Sequence, residues 1–159
     1  MSAQEPPNAA FVTDTSASPE SRLRPVPLGA VALTTGFWAE RVRLNRDVSI
    51  PLMLERLRSH HVLDNFLRLC GRCDRPRERR LATDSDLYKW LEAACYALAN
   101  REDRGLRQQV EDVIEAVLPA QEASGYLNTS MVEANRERRW EDFHAHELYC
   151  AGHMFQAAV

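Results

Sequence analysis

An all-α body of antiparallel helical hairpins is the fold class this sequence predicts, and three observations carry it. Apolar residues recur at spacings of three and four in successive segments, the period of one face of a helix. The connections between most of those segments are short, which sets neighbouring helices antiparallel. No alternation of strand and helix patterns runs along the chain, so a parallel sheet with crossover helices is excluded. A 34-residue consensus of the tetratricopeptide kind is absent, which disfavours a small-repeat solenoid. Periodicity leaves open the choice between a helical-hairpin toroid and a bundle.

Residues 1–24 are rich in Pro, Ser, Ala, Thr and acidic groups and carry no apolar period. They read as a disordered leader, with the folded part over 25–159. The segment VPLGAVALT, 26–34, is short, apolar and partly β-branched; it reads either as a single strand or as an extended stretch packed on a helical body. From Ala39 to about Arg58, Val42, Ile50, Leu54 and Leu57 recur among Arg and Glu. That helical pattern is interrupted near Ser49-Ile50-Pro51, because Pro51 suits the first turn of a new helix better than the middle of an old one.

A helix is expected over 60–69, where Val62, Leu63, Phe66, Leu67 and Leu69 share a face, and a charged loop over 71–80 contains Pro76. The clearest helix start follows at Asp84-Ser85-Asp86, with an Asp or Ser N-cap ahead of the apolar face Leu87, Trp90, Leu91, Ala94 and Leu98. The next helix, 104–121, places Leu106, Val110, Val113, Ile114 and Val117 inward, and Pro119 marks its end. Ser124-Gly125-Tyr126-Leu127 then breaks the pattern and opens a long polar connection. The last helix, beginning between Trp140 and Glu147, carries Leu148, Tyr149, Gly152 and Phe155 and meets no glycine cap or basic last turn before Val159.

Composition narrows the function classes. The 159 residues hold 20 Lys and Arg against 23 Asp and Glu, a net charge of -3, so no whole-chain attraction to phosphate backbones exists, and nucleic acid is not an expected partner despite the cluster Arg72, Arg75, Arg77, Arg79 and Arg80. No run approaches the ~20 apolar residues that span a bilayer. The N-terminal segment lacks the basic start and apolar core of a secretory signal, so a cytoplasmic location is expected. Cys70, Cys73, Cys95 and Cys150 are too sparse and uneven for a disulfide framework. Cys70 and Cys73 form a CxxC, for which structural, metal and redox readings stand; a zinc site takes about four ligands and no second pair follows.

The densest polar constellation is His144, His146, Glu147 and His153, in WEDFHAHELYCAGH. It is not HExxH, since Cys150 stands where the second His would be, and a zinc protease is a poor fit. His146, Cys150 and His153 share a helical face, and three readings stand for it: a structural face, substrate contacts in a pocket, and a metal contact. Asp84 and Asp86 read as a helix cap and, compatibly, as hydroxyl-binding carboxylates beside Tyr88 or Trp90 as a flat sugar platform. Gly125 is expected in a tight turn that either presents Tyr126 or Asn128 towards a pocket or packs Tyr126 and Leu127 on the core. Asp84, Asp86, Glu141, Asp142 and Glu147 are candidates for the paired carboxylates of glycoside hydrolysis. GxSxG, Walker and GxGxxG motifs are absent, which removes serine hydrolase, P-loop and dinucleotide-binding readings.

Three ordered stretches, TDSDLYKWLEAACYALA at 83–99, PAQEASGYLNTSM at 119–131 and RWEDFHAHELYCAGHMFQAAV at 139–159, resemble the amino-terminal part of the β-L-arabinofuranosidase family, glycoside hydrolase family 127, once called DUF1680. Gly36-Phe37-Trp38 with Arg41 is similar to that family's opening, so the resemblance covers roughly 26–159. It implies an (α/α)6 toroid followed by β-sandwich domains, and retaining hydrolysis of β-L-arabinofuranosyl linkages through a zinc-bound cysteine nucleophile. The resemblance also implies an acid/base glutamate, with the zinc held by one glutamate and three cysteines, the nucleophile among them. Those groups belong to the later part of the toroid, so the resemblance assigns no catalytic or metal residue here, and Cys70, Cys73, Cys95 and Cys150 have no such role.

By the same resemblance His146 matches the substrate-contacting histidine of the HE(L/M)Y motif, Asp84-Ser85-Asp86 match DSD, and Gly125-Tyr126-Leu127 match GYL. His146 is thereby expected to contact sugar, with Asp84, Asp86 and Tyr126 as rim or orienting groups. The segment before DSD is shorter than members commonly use, which implies an altered pocket edge. The expectation is a partial (α/α)6 toroid truncated at its C-terminus, inactive alone, with zinc implied only for a full-length parent. The alternative is a noncatalytic carbohydrate-binding or self-associating helical module, and an exposed toroid face predicts either a homodimer or marginal stability.

Overall fold

The computed structural model describes residues 13–78, 82–132 and 135–159. Most of the other helices pack against one long helix, α4, Thr83–Asn100. Its 18 residues span about 27 Å at ~1.5 Å per residue, and they bury Leu87, Tyr88, Trp90, Leu91 and Ala94. Before it come α1, Gly36–Leu44, α2, Ile50–Ser59, and α3, Val62–Leu69. After it come α5, Arg104–Val117, and α6, Glu147–Ala158. Every regular element among the described residues is helical, as the periodicity predicts. None of these helices is long and apolar enough to cross a membrane.

The junctions follow from local chemistry. The expected break before Pro51 is a π-helical turn, Asn45–Ser49, that joins α1 to α2 without stopping the chain. Proline has no N–H and its ring crowds the carbonyl four residues earlier, so a widened turn accommodates it. Helix α1 begins at Gly36, ahead of the expected Ala39. Asp103 caps α5, its Oδ1 accepting from the Leu106 amide at 2.9 Å. Pro119 lies in a 3-10 turn, Leu118–Ala120, that closes α5. For segment 26–34 the extended reading holds: one 3-10 turn, Leu28–Ala30, packs on α4, with no strand partner among the described residues.

Helices α4 and α6 share the most extensive contact and run in the same direction, since Lys89 meets Tyr149 and Glu92 meets His153. Helix α5 packs on α4 and α3. Phe66 of α3 is fully buried and meets Tyr88 edge-on at 5.9 Å. The Trp90 indole N–H donates to the Ile50 carbonyl at 2.9 Å, tying α4 to α2. Val110, Val113 and Val117 of α5 are buried as expected, whereas Ile114 is 39% exposed and faces outward. A helix face is about 100° wide, and Ile114 falls beyond its edge.

Residues 1–12 of the expected leader, and Arg79 and Arg80 of the basic cluster, lie outside the described residues. The other arginines of that cluster are engaged by the fold. Arg75 lies 3.7 Å from Asp64, Arg72 donates to the Glu115 carbonyl, and Arg77 donates to the Glu78 carbonyl at 2.7 Å and to Thr129 Oγ1 at 3.2 Å.

Candidate functional site

The start of α6 organises the polar residues of the RWEDFHAHELY stretch. His146 is the residue preceding the helix and has left-handed backbone, φ 57°. Its side chain is exposed, and its ring meets Tyr149 edge-on at 5.9 Å. Glu147, the first helical residue, is 5% exposed and turns its carboxylate back on the preceding loop. Glu147 Oε2 accepts from the Trp140 amide at 2.6 Å, and Oε1 accepts from the Tyr126 hydroxyl. Trp140 is also left-handed, φ 66°. A bulky residue there is strained, and the Glu147 carboxylate fixes it in place.

Around this carboxylate the loop stacks in layers. The Tyr126 and Trp140 rings meet edge-on at 5.6 Å, and the Arg139 guanidinium lies 3.7 Å above the Tyr126 ring. Arg139 then forks onto Glu122 with two hydrogen bonds of 2.7 and 2.8 Å. Burial and the Glu147 partner raise the Tyr126 phenol above its ordinary range. The Arg139 hydrogen bonds lower the Glu122 carboxyl to about 2. Gly125, φ 87°, makes the preceding turn possible, as the sequence predicts.

Asp84 sits elsewhere in this architecture. The residue preceding α4 is left-handed Ala82, without a side-chain cap, so the expected Asp or Ser N-cap is corrected. Asp84 is 1% exposed and accepts from the amide and hydroxyl of Thr129, 45 residues away, at 2.6 Å each. A missing cap costs ~1 kcal/mol, whereas each large apolar side chain that α4 buries contributes roughly 1.5–3 kcal/mol, so packing decides where the helix starts. Burial raises the Asp84 carboxyl, against the opposing Thr129 hydrogen bonds and the Arg77 charge.

Asp86 points outward, its Oδ1 3.7 Å from Lys89 Nζ. The Lys89 ammonium lies 4.9 Å from the centre of the Tyr149 ring. Asp86, Lys89, Tyr149 and His146 thus form one continuous polar surface on the α4–α6 seam. Tyr126 is linked to the residue next to His146 through its hydrogen bond to Glu147, and Asp84 is held at Thr129. Neither Tyr88 nor Trp90 is a sugar platform: both belong to the core, at 0% and 3% exposure. Asn128 is buried too, and its Oδ1 accepts from the amides of Ser130 and Met131.

Each candidate carboxylate is engaged by a partner of its own, Asp86 by Lys89 at 3.7 Å. Asp84 is held by Thr129, Glu147 by Tyr126 and Trp140, Asp142 by the His144 amide, and Glu141 lies 3.9 Å from Arg138. All four cysteines are free thiols, and burial pushes the Cys150 thiol to about 11. Among the described residues, no three His, Cys, Asp or Glu side chains form a group that could hold a metal ion. The zinc implied by the resemblance therefore does not fit the donors described here. Glu122, Arg139, Thr129 and Lys89 are structural partners that sequence reading missed, because each meets its partner through the tertiary fold. For Tyr149 the signal was its place one turn after His146.

Comparison with known proteins adds the family. The family model described as Beta-L-arabinofuranosidase, GH127 catalytic domain, matches residues 30–159. The non-reducing end β-L-arabinofuranosidase of Bifidobacterium longum subsp. longum is 36% identical over 104 residues, covering 62% of this chain and 16% of that protein. A GH127 β-L-arabinofuranosidase from Geobacillus stearothermophilus T6 superposes with a TM-score of 0.76 at 36% identity, covering 80% of this chain and 21% of that one. A further GH127 β-arabinofuranosidase superposes at 0.72 with 30% identity, covering 84% and 23%. The chain spans about a fifth of the length of these relatives. Its helix-only fold matches part of their (α/α)6 toroid. With the motifs, the fold and the family match in agreement, the chain belongs to glycoside hydrolase family 127, the β-L-arabinofuranosidase family.

Proposed function

We propose that this chain supplies the sugar-contacting start of α6 to a β-L-arabinofuranosidase, with His146 as the residue that meets an arabinofuranosyl group. The observation that carries the reading is His146 itself, exposed and held in left-handed backbone at the head of α6. An imidazole both donates and accepts hydrogen bonds, which suits a sugar hydroxyl. In this reading Asp86 is an accepting rim group. Tyr126 orients the site through Glu147, and Asp84 orients it by holding Thr129 of the same loop. His146 fixes the ring in place and transfers no proton at the scissile bond.

In this reading no residue of this chain breaks the glycosidic bond. Mixing the 159-residue chain with zinc and a β-L-arabinofuranoside is therefore expected to release no arabinose; turnover would refute that division of labour. The binding role is tested by titrating the chain with methyl β-L-arabinofuranoside, followed by NMR. Saturable shifts centred on His146, lost in His146→Ala, are expected. Equal binding by His146→Ala removes its role.

A second reading, self-association, is favoured by the outward side of α6, where Leu148 is 76% and Phe155 70% exposed. Exposed apolar surface of this kind marks an interface or an aggregation liability. Sedimentation of the parent chain and a Leu148→Glu, Phe155→Glu variant distinguishes the two: a dimer that the variant abolishes supports self-association, and a parent that stays monomeric at all concentrations rules it out.

A further inference from the structure

The α4–α6 seam carries more recognition chemistry than His146 alone. Tyr149 is 46% exposed, and both His146 and His153 meet its ring edge-on, at 5.9 and 4.7 Å. Lys89 Nζ lies 4.9 Å from the ring centre and 3.7 Å from Asp86 Oδ1. Beneath these groups the seam is closely packed: Cys150 and Leu87 are fully buried, and the two helices share the most extensive interface in the fold. Sites built on packed helices hold their side chains more closely than sites on loops.

The chemistry of the seam selects a class of ligand. Lys89 and Asp86 cancel in charge, so the seam lacks the cationic excess that an anion or phosphate needs. An ammonium donor and a carboxylate acceptor side by side match two adjacent hydroxyls, and an aromatic ring beside them matches the C–H surface of a sugar. We propose that Lys89 and Tyr149 are further sugar-contacting residues of this site: Lys89 and Asp86 take vicinal hydroxyls of a neutral pentose, and Tyr149 gives its ring to the sugar's apolar side. The proposal deepens the reading of His146 and rests on it for the class of sugar.

The test is NMR titration of the full chain and its variants with methyl β-L-arabinofuranoside and with its 2-deoxy analogue, which lacks one vicinal hydroxyl. Tyr149→Ala and Lys89→Met are expected to raise Kd about tenfold, and Tyr149→Phe to change it by no more than about twofold. Lys89→Met is also expected to abolish the preference for the intact diol, a readout that a merely structural role would not move. Circular dichroism checks that each variant is folded. Parent-like Kd and diol preference in Lys89→Met and Tyr149→Ala, with binding lost in His146→Ala, would overturn this inference and leave the His146 reading standing. Weakened binding in the seam variants with parent-like binding in His146→Ala would support the seam and remove His146. No saturable binding by the folded parent overturns both.

Discussion

The Asp84 carboxylate accepts two hydrogen bonds from one residue, Thr129, from its amide and from its hydroxyl, both at 2.6 Å. The pair ties the first turn of α4 to the loop that precedes α6, and Arg77 closes it from the other side with a hydrogen bond to Thr129 Oγ1 at 3.2 Å. A buried backbone amide and a buried carboxylate thereby satisfy each other.

Asp84→Ala leaves the Thr129 amide without its acceptor, and a buried unsatisfied donor costs about 1–3 kcal/mol. A lower urea midpoint at unchanged slope, equivalent to that cost, is expected for the alanine variant. Asp84→Asn keeps an acceptor for the amide and removes a charge that burial disfavours, so it is expected to be the milder change. The sign follows from the raised carboxyl: protonation favours the folded state, so this group alone makes stability fall as pH rises from its unfolded value through its folded one. An asparagine variant less stable than the alanine variant would contradict the account.

Tyr126→Phe removes the hydroxyl that donates to Glu147 while keeping the ring between Arg139 and Trp140. A loss of about 1–2 kcal/mol is expected, above that of a neutral pair because the acceptor is a carboxylate. The amide resonances of Trp140 and His146 should shift together, since Glu147 holds one and adjoins the other. Shifts confined to residue 126 would show that the carboxylate does not transmit the change.

Glu122 provides a pH signature. Arg139 holds its carboxyl near 2, below the ordinary value. Its contribution to stability is present above the unfolded carboxyl value of about 4.3 and is lost as pH falls towards 2. Thermal melts across that window should show a shallower acid loss in Glu122→Gln than in the parent. Both side chains are 15% exposed, so salt should weaken the difference only in part. An unchanged acid limb would place the acid sensitivity elsewhere.

Trp90→Phe deletes the N–H that donates to the Ile50 carbonyl and leaves space between α4 and α2. The lost bond and the cavity together predict a cost of about 2–3 kcal/mol, measurable as a lower urea midpoint at unchanged slope. A variant within about 0.5 kcal/mol of the parent would show that the site collapses without penalty.

Much of the fold was legible in particular residues. The Leu87, Trp90, Leu91 and Ala94 face, the Pro119 stop and the Gly125 turn each depend on neighbours within a helical turn or two, and each holds in the structure. Pro51 was legible as an interruption, but the π-helical form of the junction was not, because the same residue is compatible with a break or with a widened turn.

The sequence by itself determined the helix-only architecture, the order of its segments and the motifs that carry the family, because helical period and turn chemistry are local properties of the chain. Only the tertiary structure decided that Asp84 holds Thr129 instead of capping α4, that Tyr88 and Trp90 are core, and that Glu147 joins Tyr126 to Trp140. The physical reason is that a carboxylate accepts from whichever donors the packed helices bring within reach, and an aromatic ring buries wherever packing removes it from water. Periodicity assigns a side chain to a face; the partner it meets there is set by another segment, 45 residues away for Asp84 and 21 for Glu147.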